Sequence, residues 1–159
     1  MEALRFVTAD DVTAARRWCL TACRRAAATI RAARQPGPSM ELELFLNRLE
    51  MRPESIEFPD VIRLINERYD FVPTAFRNGE LHNEAGQNSG ACRVFAFARL
   101  HDLDPAQTLA LFGAYYRSDV LRTPEGDSHP NIRQFMKGGW AGIEFDDMPL
   151  RAKPPAGRA

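Results

Sequence analysis

GELHNEAGQNSGACRVFAFAR, residues 79–99, joins the most polar, glycine-rich part of the chain directly to its most continuously apolar part. Glu80, His82, Asn83, Glu84, Gln87, Asn88 and Ser89 crowd its first half, more unlike polar groups than a solvated loop needs. Ser89 is of the residue type that caps helix N-termini, where a hydroxyl accepts from backbone N–H groups that no intrahelical carbonyl reaches. From Ala91 to Leu100 only Arg93 and Arg99 interrupt the apolar run. The pattern predicts a helix buried around most of its circumference, with Cys92 in its first turn.

Upstream, Leu42, Phe45, Leu46 and Leu49 recur at helical spacing and stop before Pro53. Phe58-Pro59-Asp60 opens a second helix, with proline in the tolerated first turn, an acid near the positive end of the dipole, and a stripe of Phe58, Val61, Ile62, Ile65 and Tyr69. Residues 71–76 are aromatic and β-branched, Pro73 restricts them to an edge, and Asn78-Gly79 predicts a hairpin with residues 80–83 as the return strand. Downstream, Asp104-Pro105-Ala106-Gln107 is a capping-box start for a helix running to residue 121, in which Gly113 marks a close helix contact. Ser128-His129-Pro130 opens a last helix with Ile132, Phe135 and Met136 facing inward, closed by Gly138-Gly139. Residues 142–146 are expected to form a short strand, with residues 71–76 as its expected partner. The expected fold class is α+β, mainly helical: about five helices around one core with a small antiparallel sheet or hairpin at one side.

Residues 83–121, NEAGQNSGACRVFAFARLHDLDPAQTLALFGAYYRSDVL, followed by HPNIRQFMKGGWAGIEF at 129–145, resemble the HopJ type III effector family. The resemblance spans residues 40–153. It implies an effector-like protein of no particular reaction, acting as a small-ligand or protein interaction module. A host protein or a small polar ligand is the partner it suggests. By the same resemblance, secretion through a type III system applies only if the family name holds literally, and the location is otherwise cytoplasmic. Effector export signals are flexible and serine-rich, whereas this chain starts with an Ala/Arg-rich stretch.

That stretch, residues 1–38, holds seven arginines and three acids, a surplus of four positive charges in a chain whose formal net charge is +0. The remainder is therefore mildly acidic, which disfavours nucleic acid as a partner. Residues 14–33 read as a helix with Trp18, Cys19, Ala22, Cys23, Ala26 and Ile30 near one face, ending at a Pro36-Gly37-Pro38 linker. The expectation is a dispensable addition or the product of an upstream start codon, with Met40 as the authentic start. Asp10 and Asp11 spoil a transit-peptide pattern, and the arginines interrupt any run fit to span a membrane. Cys19, Cys23 and Cys92 make no disulfide framework. Residues 154–159 have nothing to bury and are expected to form an unstructured tail.

Three kinds of chemistry compete with a purely structural role for the polar residues. Cys92 at a helix start, where the dipole favours a thiolate, with His129 as base, is the constellation of an acyl-transfer nucleophile, giving a hydrolase or transferase as the alternative function. Glu80, His82, Glu84 and His129 match no metal-binding spacing, so no metal or cofactor is expected. Glu80, Asn83, Glu84, Gln87, Asn88 and Ser89 form the candidate ligand-binding group, at a helix N-terminus where backbone N–H groups favour an anion. Trp140, Tyr115 and Tyr116 read as core aromatics, and Asp146-Asp147 as a solvated turn.

Overall fold

The computed structural model describes residues 38–154, with side chains from residue 40 onward. Within them lie five α-helices: α1 (Pro38–Met51), α2 (Phe58–Arg68), α3 (Ser89–Leu100), α4 (Pro105–Ala110) and α5 (Pro130–Gly138). Single 3-10 turns follow α1 at Pro53–Ser55 and α5 at Gly139–Gly142, and a π-helix occupies Tyr115–Val120. The strands are β1 (Tyr69–Phe71), β2 (Phe76–Asn78), β3 (Leu81–Asn83), β4 (Ile143–Phe145) and β5 (Leu150–Ala152). They form two small antiparallel sheets, β1 with β5, and β3-β2-β4 with β2 in the middle. The architecture is thus mainly helical α+β. The expected helix over residues 14–33, its cysteine pair and the tail from residue 155 lie outside the described residues.

Helix α3 is the axis of the core, with Val94, Phe95, Ala96, Phe97 and Ala98 excluded from solvent. Residues two apart on a helix point about 200° from each other, so Phe95 and Phe97 serve opposite sides. The Phe95 ring meets Phe76 of β2, Phe112 and Phe135 of α5, with centroids 6.2, 5.4 and 5.0 Å away. Phe97 meets Phe45 of α1 at 6.2 Å and Tyr69 of β1 at 6.0 Å, both edge-on. Each such pair contributes about 0.5–1.5 kcal/mol beyond area burial. Beside Phe97, the Tyr69 hydroxyl lies 2.8 Å from His101 Nε2.

The hairpin forms where Asn78-Gly79 predicts it: Asn78 pairs with Leu81 around a two-residue turn in which Gly79 has φ +58°. Residues 71–76, however, do not make one strand. Pro73 breaks the run, β1 ends at Phe71 and pairs with β5, and Phe76 begins β2. β4 pairs with β2, so Phe145 faces Phe76 at the end of the expected partner segment and Ile143 faces Asn78 beyond it.

Three local expectations are corrected. Ser89 does not cap α3: Asn88 occupies that position in the left-handed region at φ 46°, and the Ser89 hydroxyl donates to the Gly86 carbonyl at 2.8 Å. The capping box at Asp104 forms, with Gln107 N–H on Asp104 Oδ1 at 2.7 Å and Asp104 N–H on Gln107 Oε1 at 3.1 Å. Yet the helix it starts stops at Ala110, because Gly113 turns to φ +58°. A Cβ there would lie 2.7 Å from the Phe58 backbone nitrogen, so Gly113 is the close contact and also the break. Met136 is exposed, while Ile132 and Phe135 are buried as their spacing requires.

Candidate functional site

Asn83, the last residue of β3, is buried and receives two side-chain amides at once. Asn88 Nδ2 donates to its Oδ1 at 2.7 Å and Asn131 Nδ2 at 2.9 Å. In return Asn83 Nδ2 donates to Asn131 Oδ1 at 3.2 Å, and Asn78 Nδ2 donates to the Asn131 carbonyl at 2.7 Å. Four asparagines from the hairpin, the loop and α5 therefore form one network, in which Asn78, Asn83 and Asn131 are buried, Asn88 is exposed, and the buried Asn78 Oδ1 has no hydrogen-bond partner among the described residues. The network ties the start of α3 to the start of α5.

Between these two helix starts opens a cleft of about 180 Å³. Its polar edge is Asn88, His129 and Asn131; its walls include Phe58, Phe112 and Tyr115, with Gly90 and Ala91 of α3 and Pro130 and Ile132 of α5 completing the lining. Phe58 and Phe112 lie nearly parallel at 6.3 Å, and Tyr115 meets Phe58 edge-on at 5.1 Å. Gly90 packs closely there: a Cβ would come within 2.9 Å of Phe58 Cζ, so the ring would have to shift. Asn88 and His129 both precede their helices in the left-handed region, at φ 46° and 53°, and neither start has a side-chain cap.

The π-helix bears on His129 twice. Tyr115, 42% exposed, lays its ring 4.9 Å from the imidazole, and Asp119 Oδ2 stands 3.0 Å from His129 Nε2. Wide helical turns of this kind recur at functional sites, where they re-aim side chains.

Among the residues singled out from sequence, Asn83 and Asn88 join the network, and Asn88 and His129 reach the cleft. Glu84 and Gln87 are taken up by their own loop, in which Gln87 Oε1 accepts from Glu84 N–H at 3.0 Å. Glu80 is exposed in the hairpin turn. His82 pairs with Glu84 at 3.2 Å, on a different partner from His129, so the four residues weighed as metal ligands do not converge. Among the described residues no group of three or more His, Cys, Asp and Glu side chains is placed to hold a metal.

Cys92 and His129 have separate partners. The Cys92 thiol is 1% exposed and contacts the Thr74 carbonyl at 3.8 Å. Burial pushes its pKa up to about 11, outweighing the Thr74 hydrogen bond and the charge of Arg93. The position in the first turn of α3 does favour a thiolate, but desolvation of the anion is the larger effect. Sequence reading missed Phe58, Phe112, Asp119 and Asn131 as cleft or network residues and took Tyr115 for core. The one usable signal was the tyrosine after Gly113, placed beyond a helix break and so free to leave the core face.

The profile of the family described as HopJ type III effector protein matches residues 42–150. Among solved structures, the crystal structure of VPA0580, described as a protein of unknown function, is 50% identical with a TM-score of 0.70, over 72% of this chain and 95% of that one. Comparison with curated proteins gives no match.

Proposed function

We propose that this chain, which belongs to the HopJ type III effector protein family, is a non-enzymatic binding module for a small planar ligand carrying an acceptor or negatively charged group. The observation that supports this reading is the sharing of one cleft by aromatic walls and a fixed polar edge. Phe58, Phe112 and Tyr115 offer ring faces and edges to a flat apolar body, while Asn88, His129 and Asn131 offer polar atoms to its head. Two helix starts without side-chain caps favour negative charge at that same edge. The cleft is smaller than the roughly 300–1,000 Å³ of pockets that enclose drug-sized ligands, which points to a ligand of one ring. The asparagine network supports the polar edge from behind and fixes its geometry before binding, which reduces the ordering cost.

Acyl transfer by Cys92 and His129 gains no support from this arrangement, since the thiol is buried, its pKa is raised and the imidazole is engaged by Asp119. Among the described residues no helix is long and apolar enough to cross a membrane. We place the protein in the cytoplasm of the cell that makes it, with type III export only where residues 1–40 act as a signal. Fusing those residues to a reporter in a secretion-competent strain tests this.

The binding reading is tested by NMR titration of the labelled protein with benzoate and nicotinate beside their uncharged amides. Shifts centred on Gly90, Tyr115, His129 and Asn131, stronger for the acids, are expected. Tyr115→Ala should weaken binding about tenfold, or about 1.4 kcal/mol. Shifts scattered elsewhere, or none with any of the four compounds, would remove the reading.

A further inference from the structure

Helix α1 is apolar on two opposite sides. Its inner side buries Phe45 and Leu49, with Leu42 and Leu46 packed beside them. The other side carries Met40, Leu44 and Met51, which are 53, 56 and 77% exposed. With Asn47 these residues follow a 4-3-4 spacing, and at 100° per residue they fall within an arc of about 60° facing away from the core. Solvent exposure of three large apolar side chains in one straight stripe is costly without a partner, and the spacing is that of a coiled-coil seam.

The flanking charges select the partner and its direction. One flank of the stripe carries Glu43 and Glu50; the other carries Arg48 and Glu41, each also turned to α2, Arg48 to Asp60 and Glu41 to Arg68, both 3.9 Å away. An antiparallel pair of such helices would set Glu43 and Glu50 against the same two residues of its neighbour, a repulsive arrangement. A parallel pair sets Glu43 five residues ahead of Arg48 on the facing helix, the offset at which seam-flanking charges meet in parallel coiled coils. A surface that complements itself in one orientation and repels itself in the other is matched to its own copy.

We propose that a second copy of this chain docks along α1, the two helices parallel about a two-fold axis. Leu44 and Met51 meet their equivalents at the seam, Met40 extends it, and Asn47 meets Asn47 as a polar pair at a cost in stability. Glu43 of each copy faces Arg48 of the other. The seam is short of what a free-standing coiled coil needs, so the dimer is weak. The cleft is built on α3 and α5, so this inference stands apart from the ligand reading.

Sedimentation velocity of the full chain across the micromolar range tests it. The weight-average mass is expected to climb from 17.9 kDa towards twice that value with concentration. Leu44→Glu should abolish the climb with the circular dichroism spectrum unchanged, because Leu44 lies outside the core. Glu43→Arg alone should abolish it, and the Glu43→Arg, Arg48→Glu exchange should restore it. A monomer at every concentration overturns the proposal, whether the stripe is covered by residues 1–37 or left bare. Association that survives Leu44→Glu also overturns it, as does failure of the charge exchange to restore what Glu43→Arg removes.

Discussion

Asn83 and Asn131, 48 positions apart in the chain, exchange two hydrogen bonds through their side-chain amides, at 2.9 and 3.2 Å. The exchange is buried, with Asn131 only 4% exposed, and water offers no substitute for a lost partner. Replacing Asn131 by Leu removes both side-chain bonds to Asn83, which keeps Asn88, while the backbone carbonyl at 131 still accepts from Asn78; the loss should be about 1–3 kcal/mol. Urea denaturation should show this loss for Asn131→Leu and for Asn83→Leu. The double variant should be less destabilised than their sum, with a coupling of about 0.5–3 kcal/mol. Strict additivity would show that the pair does not act as a unit.

Gly113 is held at φ +58° with the Phe58 backbone nitrogen where a Cβ contact would be 2.7 Å, while Gly86, at φ +91°, has open space around it. Alanine at Gly86 carries only the cost of the backbone conformation. At position 113 it must also displace the backbone of Glu57 and Phe58. Gly113→Ala should therefore exceed Gly86→Ala in destabilisation by about 1–3 kcal/mol, read from denaturation midpoints, and should weaken any ligand bound beside Phe58.

A thiol with a pKa of about 11 and 1% exposure has two reasons to be inert. At pH 7 roughly one part in ten thousand would be thiolate even with free access. In a Cys19→Ser, Cys23→Ser protein, iodoacetamide should leave Cys92 unmodified under native conditions and alkylate it fully in denaturant. Rapid native labelling near pH 6 would revive the nucleophile reading.

Burial holds the pKa of His101 below its ordinary value, against the opposing pull of the Asp102 carboxylate. The unfolded chain then takes up the proton more readily than the folded one, so stability rises with pH between the lowered folded value and the unfolded value of about 6.5. Below the folded value the full penalty remains. The melting temperature should fall as pH is taken from about 7 towards about 5, and His101→Gln should flatten that part of the profile. The same slope in the variant would assign it to another group.

How far the sequence could be read depends on which forces are local. The Asp104 cap, the Asn78-Gly79 turn and the periodic faces of α1, α2 and α5 are set by residues within a few positions of each other, and they form where the pattern puts them except at two helix ends, where Met136 is exposed and Tyr69 passes into β1. The left-handed turns at Asn88 and His129 are compatible with their residue types but not signalled by them. β5 stayed hidden because Leu150-Arg151-Ala152 has almost no strand character; its pairing comes from β1, whose position only the tertiary fold defines. In the candidate site, Asn83, Asn88 and His129 stood out as unlike polar groups near helix starts. Asn131 and Asp119 did not, since an amide or an acid on a helix usually faces water and only the approach of the hairpin and of His129 gives these two their partners.

The central strand of the three-stranded sheet receives its second neighbour late. β2 pairs with β3 at once, but β4 must arrive from the far end of the domain, as the 67 positions between the joined side chains of Arg77 and Glu144 show. A nascent chain emerging from the ribosome therefore carries an open strand edge, with Phe76 beside it, until residues 143–145 are synthesised. Such an edge is a template for pairing with another chain. Truncation just upstream of Ile143 thus yields more than a shortened domain: it yields a product prone to aggregate, whose solubility during synthesis depends on shielding by chaperones.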